Sequence, residues 1–581
     1  MITAMMVTGV LCALIAPSTQ KIFMPPDARE SESSYWLEQG RRELQEALEQ
    51  PRLTNKAKNV ILFLATVWMG ITALTAGRIL KGQKKGNSGE EESLVWDRFS
   101  NMGMLKTYNL DRQVPDSAAT ATAFLSGVKG NYLTLGVNGN VKSQDCAASL
   151  QRENQVSTIL EWAQDAGKDT GVVSTAQVTH ATPAALYAKT PYRYWQCDAA
   201  ITRAGPDALP CKDIARQLVE DNPGRGMKVI MGGGRQEMGA GQETDVKQKC
   251  VRADGRDLVQ EWREARASEG ASAAYLTTTE ELRNVNARDT DYIMGLFGDL
   301  HVPYELDRDR SGAGTPHIKD MVKVALQRLK RSDNGFFLMV EGGRIDHGLH
   351  HGMPHRALEE LLAMEEAVTE TLQGVDLEET LVVVTADHSH VMTMNGYPAR
   401  GNDIFGKVMN EEDVSDHLPY TTLMFTNGEG FNYTWNGTEV IRRNLTNVDT
   451  TDKDFRPLAA VPTYKGSETH GGEDVAVYAN GPMAHLFHRV HEQSYVAHVM
   501  GYAACIGPYS DCDRPAHKTQ YKHVNNHNHH HDDDDDDDGD EGGKYGGKGK
   551  YGKGVSGSGG VVVSSGAVVL WWCVVVSRLL W

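Results

Sequence analysis

The sequence predicts an α/β fold: a large, mostly parallel central sheet flanked by helices on both faces, with a small loop-rich, crown-like subdomain inserted at about 394–468. Three observations carry this expectation. Short, near-continuous apolar runs recur along the 581 residues, as strands buried on both faces require. Amphipathic stretches of helical spacing alternate with those runs. From Gly396 to Lys465 the alternation stops, and the chain becomes loop-rich and aromatic.

Taken in order, Ile2 to Pro17 is short, apolar and ends in small residues, which fits a signal peptide over residues 1–18. Glu30 to Gln50 carries Trp36, Leu37, Leu44, Ala47 and Leu48 at helical spacing and is ended by Pro51. The strand candidates are Val60–Val67, Gly171–Thr175, Val229–Met231, Phe336–Val340, Leu381–Thr385 and Val475–Tyr478; Val156–Ala166 and Ile318–Leu329 are helix candidates between them. Residues 19–514 therefore read as one large domain. From Pro515 to about 560 the chain runs through His-rich, Asp-rich and Gly/Lys/Tyr-rich tracts that cannot bury a core, so it reads as a linker. Small residues from Gly554 to Gly566 and the apolar tail that ends at Trp581 resemble a GPI-anchor signal over about 561–581.

The net charge of −18 argues against nucleic acid as a partner, which would call for a basic footprint. No internal run approaches the roughly 18 apolar residues of a membrane span, which excludes a multi-pass protein. Eight cysteines are too few for a disulfide scaffold but allow a few bridges. The sequons at Asn432, Asn436 and Asn444 fit an extracellular surface loop.

Chemistry-bearing residues gather at the ends of three strand candidates. Phe336–Val340 runs into Glu341-Gly-Gly-Arg-Ile-Asp346-His347-Gly-Leu-His350; Leu381–Thr385 runs into Ala-Asp387-His388-Ser-His390; and Glu468-Thr-His470 precedes Val475–Tyr478. Open α/β sheets place their sites at the carboxyl ends of strands. Mixed imidazole and carboxylate groups suit Zn²⁺, and a carboxylate with hydroxyls suits Mg²⁺. Two close cations are a device for clamping the attacking and leaving oxygens of phosphoryl transfer. In Asp116-Ser117-Ala-Ala-Thr-Ala-Thr122, a run of small residues after a serine predicts a helix that starts there, with the Ser117 hydroxyl at its positive end. Arg193 offers a fork for phosphate oxygens.

Together these segments resemble the animal alkaline phosphatases, secreted or GPI-anchored dimeric phosphomonoesterases. The likeness runs from about Trp36 to Asp513. It is carried by Gly77-Arg-Ile-Leu-Lys-Gly-Gln-Lys-Lys85, Asp116 to Thr122, Thr179-His-Ala-Thr-Pro183, Val340 to Gly348, Thr385-Ala-Asp-His-Ser-His390 and Glu468 to Val477. The resemblance implies two zinc ions and one magnesium. Ser117 would be the nucleophile that becomes phosphorylated, and Arg193 would clamp the phosphate. Asp387 and His388 would hold one zinc beside Ser117; Asp346, His350 and His470 would hold the second, which serves hydrolysis of the phosphoserine. Glu341 and Thr182 would ligate magnesium, with His180 in its outer shell. The family's calcium site would fall near Glu243 and Asp299. The resemblance also implies the disulfides Cys146–Cys211 and Cys505–Cys512, and leaves Cys197 and Cys250 free to pair with each other. A sulfatase would need Cys or Ser followed by x-Pro-x-Arg, which Ser117-Ala-Ala-Thr-Ala lacks.

One departure stands out. After Ile61-Leu-Phe-Leu64 the family has Gly-Asp-Gly-Met-Gly, whose aspartate bridges magnesium and a zinc. This chain has Ala65-Thr66-Val67-Trp68-Met69-Gly70, one residue longer and without a carboxylate. Two readings follow: a cell-surface phosphomonoesterase whose departure is a reading-frame accident in the recorded sequence or a recent allele, or a catalytically impaired surface glycoprotein that keeps the fold.

Overall fold

The computed structural model describes residues 28–65, 71–241, 250–408, 414–463 and 466–512. The expected signal peptide, linker and anchor signal lie outside those residues, as do Thr66 to Gly70 and Glu243.

Ten strands form the main sheet: β1 Asn59–Leu64, β2 Asn101–Lys106, β3 Asp169–Gln177, β4 Val229–Gly233, β5 Ala273–Leu276, β6 Tyr292–Leu296, β7 Phe336–Glu341, β8 Thr380–Thr385, β9 Val475–Asn480 and β10 Arg489–Glu492. Their order is β10-β2-β9-β8-β1-β7-β3-β4-β6-β5. Only β9 runs against its neighbours β2 and β8; the other pairings are parallel. The central strands β1, β7 and β8 are buried almost throughout because both faces are covered. One group of helices, Ile71–Lys84, Ile318–Leu329 and Pro354–Gly374, packs together and onto the sheet; a second group is Ser117–Ser126, Ile159–Asp165 and Tyr495–Ala504. The N-terminal helix Ser33–Glu49 has no buried residue.

Register sets where the site can form. Leu64 of β1 stands level with Glu341 of β7 and Thr385 of β8, and Ser174 of β3 stands level with Glu341. The parallel strands thus deliver their following loops to one edge. Antiparallel β9 starts at that same edge, with Val477 beside Thr385, so the residues before it arrive there too.

The stretch that interrupts the α/β alternation forms a three-stranded sheet, Met392–Met394, Leu423–Asn427 and Ala459–Val461, and two small hairpin-like pairs, Lys407–Val408 with Tyr420–Thr421 and Tyr433–Trp435 with Val440–Arg442. Asn432, Asn436 and Asn444 are exposed there. The disulfides Cys146–Cys211 and Cys505–Cys512 are formed, and Cys197 pairs with Cys250. No helix among the described residues is long and apolar enough to cross a membrane.

Candidate active site

Ser117 is the first residue of the helix Ser117–Ser126, every residue of which is buried. Asp116 caps it, accepting from the Ala118 amide, so the serine hydroxyl is held at the positive end of the helix. Its Oγ lies 3.0 Å from His388 Nε2. His388 Nδ1 faces the Ser389 carbonyl at 3.3 Å, and its Nε2 is turned toward both Ser117 and Asp387.

Asp387 and His388 follow β8 and are fully buried. Asp387 Oδ2 is 3.1 Å from His388 Nε2 and has no hydrogen-bond partner. Burial, then the like charges of Asp346 and Glu341, push the Asp387 carboxyl up to about 8. Three buried carboxylates side by side call for cations.

A second cluster adjoins the first. His350 Nδ1 donates to the Glu468 carbonyl at 2.6 Å and His470 Nδ1 donates to the Pro115 carbonyl at 2.7 Å. Both rings therefore turn an Nε2 lone pair inward, and those two atoms are 3.0 Å apart. Asp346 Oδ1 stands 3.4 Å from His350 Nε2 and 3.6 Å from His470 Nε2. Ligands of a tetrahedral zinc sit about 3.3 Å from one another. The set fits one zinc ion, with the imidazoles oriented by backbone carbonyls as metal-binding histidines are. The ring of His470 also stacks on His388 at 3.6 Å, joining the two clusters.

At the β3–β7 edge, Glu341 is wholly buried and accepts from the Ser174 hydroxyl, while the buried Thr182 Oγ1 has no hydrogen-bond partner. A carboxylate and an orphaned hydroxyl are donors that suit magnesium. Arg193 bridges the parts: Nη1 donates to Asp116 and Nη2 to His180 Nε2, each at 3.2 Å. Burial and then Arg193 lower the His180 pKa to about 3, so this ring is a neutral acceptor. Asp299, in the region of the expected calcium site, is ion-paired with Arg235 at 2.7 Å.

A sequence model of alkaline phosphatases matches residues 57–506. The chain belongs to the alkaline phosphatase family. It is 45% identical over 487 residues to an alkaline phosphatase of Gadus morhua, covering 82% of this chain and 98% of that one. It is 45% identical over 488 residues to the human tissue-nonspecific isozyme, at 82% and 90% coverage. A membrane-bound alkaline phosphatase of Bombyx mori is 41% identical over 495 residues, at 83% and 87% coverage. The alkaline phosphatase of Thermus thermophilus shares the fold, with a TM-score of 0.53 at 24% identity over 79% of this chain and 93% of that one. This alkaline phosphatase family member is thus a phosphatase, and its family is metal-dependent.

The structure gathers Ser117, Arg193, Asp346, His350, Asp387, His388 and His470 into one candidate site, with Glu341, Thr182 and His180 on its β3–β7 side. Sequence reasoning placed His390 and Glu468 in the strand-end clusters but assigned neither as a ligand. His390 sits between two carboxylates, Nε2 2.9 Å from Asp346 and Nδ1 against Glu468. Burial opposes its protonation, but Glu468 and Asp346 outweigh that and raise it to about 10. Its charged ring orients the Asp346 carboxylate. The short antiparallel pairing of His470–Gly471 with Ser389–His390 locks the two loops together.

Proposed function

We propose that this phosphatase hydrolyses phosphate monoesters through a phosphoserine at Ser117, with two zinc ions and one magnesium. The observation that carries the reading is the Ser117 hydroxyl, held at a buried helix start 3.0 Å from His388 and beside the unpartnered carboxylate oxygen of Asp387. Asp387 and His388 would hold one zinc, and Asp346, His350 and His470 the second; Glu341 and Thr182 would hold magnesium. When bound, such ions lower the pKa of a coordinated oxygen and neutralise phosphate charge.

The chain's own residues do the rest. Ser117 Oγ attacks phosphorus, the bond from phosphorus to the ester oxygen breaks, and the alcohol leaves. Water then attacks the phosphoserine, the Oγ–phosphorus bond breaks, and inorganic phosphate is released with the serine restored. Arg193, already steered by Asp116 and His180, clamps two phosphate oxygens through both steps.

The protein is also proposed to act outside the cell as a GPI-anchored or secreted homodimer. The signal expected over 1–18, the domain expected over 19–514 with its insert at about 394–468, the linker expected over 515–560 and the anchor signal expected over 561–581 favour this, as do the exposed sequons. The helix Ser33–Glu49 supports the dimer, since Leu37, Leu44 and Leu48 are 61%, 61% and 78% exposed along one stripe. Metal analysis combined with turnover of a simple aryl phosphate tests the activity. Full metal occupancy with no turnover would overturn it.

A further inference from the structure

Three histidine rings pack against one another beside the site: His180, His301 and His347. The centroid of His301 is 4.1 Å from that of His347 and 5.3 Å from that of His180; His180 and His347 are also 5.3 Å apart. His180 is the ring on which Arg193 rests.

Two of the three rings are pinned by donors that cannot act as acceptors. The Gln177 amide donates to His301 Nδ1 at 3.2 Å, and Arg344 Nη1 donates to His347 Nδ1 at 3.2 Å. His180 differs. Its Nε2 accepts from Arg193, but its Nδ1 is buried with no hydrogen-bond partner. Among protein groups, the Arg193 contact and packing against His301 and His347 set its tilt.

His301 is suited to that task because its own loop is fixed. The Val302 amide donates to the Thr175 carbonyl at 3.1 Å, and the Phe297 amide donates to the Gly232 carbonyl at 2.7 Å. At Gly233 a Cβ would lie 1.9 Å from the Leu300 carbonyl oxygen, so the loop lies flat on the end of β4. Gln177 ties both histidines to one residue: its amide holds the His301 ring, and its carbonyl accepts from the His180 amide at 2.9 Å. Arg193 in turn has two side-chain acceptors, Asp116 and His180. Losing the orientation of one leaves the guanidinium anchored on a single side.

We propose that His301 is a positioning residue for phosphate binding, holding the His180 ring in the orientation that aims Arg193. This rests on the reading that Arg193 clamps phosphate. It assigns the histidine after β6 a role in affinity for the phosphoryl group, with the bond-making step left to Ser117.

The test measures KM for an aryl phosphate, kcat, and the binding constant of inorganic phosphate by calorimetry on the full-length protein. His301→Ala is expected to raise KM and weaken phosphate binding roughly tenfold while kcat changes far less, as loss of an outer supporting contact does. Two further variants separate positioning from folding. His301→Asn keeps an acceptor for the Gln177 amide, so it should melt near the parent yet still bind phosphate weakly. His301→Phe keeps the ring but loses the acceptor, so it should melt lower yet bind phosphate nearly as tightly as the parent. In an Arg193→Ala background, His301→Ala should add no further loss. Unchanged phosphate binding in folded His301→Ala and His301→Asn, where Arg193→Ala alone weakens it, would overturn the proposal. Unchanged binding in Arg193→Ala would instead overturn the clamp reading beneath it.

Discussion

The Nε2 atoms of His350 and His470 stand 3.0 Å apart although 120 residues separate them in the chain. Each ring has its Nδ1 proton committed to a backbone carbonyl, so two lone pairs face each other across that gap. Such a contact is repulsive alone and attractive around a shared cation. His470→Ala is therefore expected to cost one zinc per protomer while leaving Ser117 in place at its helix start. Metal analysis of the purified variant checks this. Unchanged zinc content would count against the ligand set.

Ser117→Ala should abolish phosphoenzyme formation. Thr120 and Thr122, further along the same helix, cannot take over: their hydroxyls donate back to the Asp116 and Ala118 carbonyls at 3.0 and 2.9 Å. Labelling with radioactive phosphate under acid quench reads this directly. Label retained by the variant would move the nucleophile elsewhere.

How much of this was legible in sequence depended on burial. β1, β7 and β8 are covered on both faces, so Val60–Leu64, Phe337–Val340 and Leu381–Val384 read as unbroken apolar runs. β2 was missed because Asn101-Met-Gly-Met-Leu-Lys106 is only partly buried, and β5 and β10 were missed because edge strands carry mixed residues on half-wet faces. β6 was missed although Ile293 to Leu296 is buried, since Gly295 interrupts its apolar run. In the site, the motif segments gave the ligand candidates and the nucleophile. The roles of His390, Glu468 and His301 were hidden, because which nitrogen of a ring faces which neighbour is settled by tertiary packing and leaves no spacing to read.

Glu360 gives a pH signature independent of the metals. It lies on the helix Pro354–Gly374, nearly fully buried, and accepts from the Glu305 amide at 2.5 Å. Burial, with Glu305 as a like charge, raises its pKa to about 7 from an ordinary 4.5. Below 4.5 both the folded and unfolded chains keep the proton, and no difference arises. Between 4.5 and 7 the unfolded chain ionises while the fold holds the carboxyl protonated, so stability falls as pH rises. Above 7 the penalty is complete, on the order of 3 kcal/mol. Glu360→Gln removes it while keeping an oxygen for the Glu305 amide. The variant should gain melting temperature over the parent as pH rises from 5 to 8, and a gap that stays constant would show that Glu360 is ionised throughout.

The segment after β1 carries the sharpest prediction. Ala65 is buried and its amide donates to the Thr385 carbonyl at 3.0 Å, so the chain leaves β1 beside the Asp387–His388 loop. Thr66 to Gly70 lie outside the described residues. Where the resemblance to alkaline phosphatases implies Gly-Asp-Gly-Met-Gly, this chain has Ala-Thr-Val-Trp-Met-Gly. Written as GGC-GAC-GGT-ATG and followed by the G of the next glycine codon, Gly-Asp-Gly-Met read one base later gives GCG-ACG-GTA-TGG, which is Ala-Thr-Val-Trp. The tryptophan is forced, because ATG followed by G always yields TGG in that frame. Loss of one base upstream and gain of four downstream restores the frame and leaves the single extra residue. Independent substitution gives no reason for these four residues in this order. The physical chemistry points the same way: a bridging carboxylate offsets the repulsion of two close cations, and threonine carries no charge to replace it. Restoring Gly-Asp-Gly-Met in place of Ala65–Met69 should therefore tighten metal binding and raise turnover of an aryl phosphate by ~100-fold or more. Sequencing the source transcript across β1 and its following loop is the direct check on the frame. Confirmation of Ala-Thr-Val-Trp, together with turnover in the unaltered protein equal to that of the restored one, would sink both the frame argument and the need for that carboxylate.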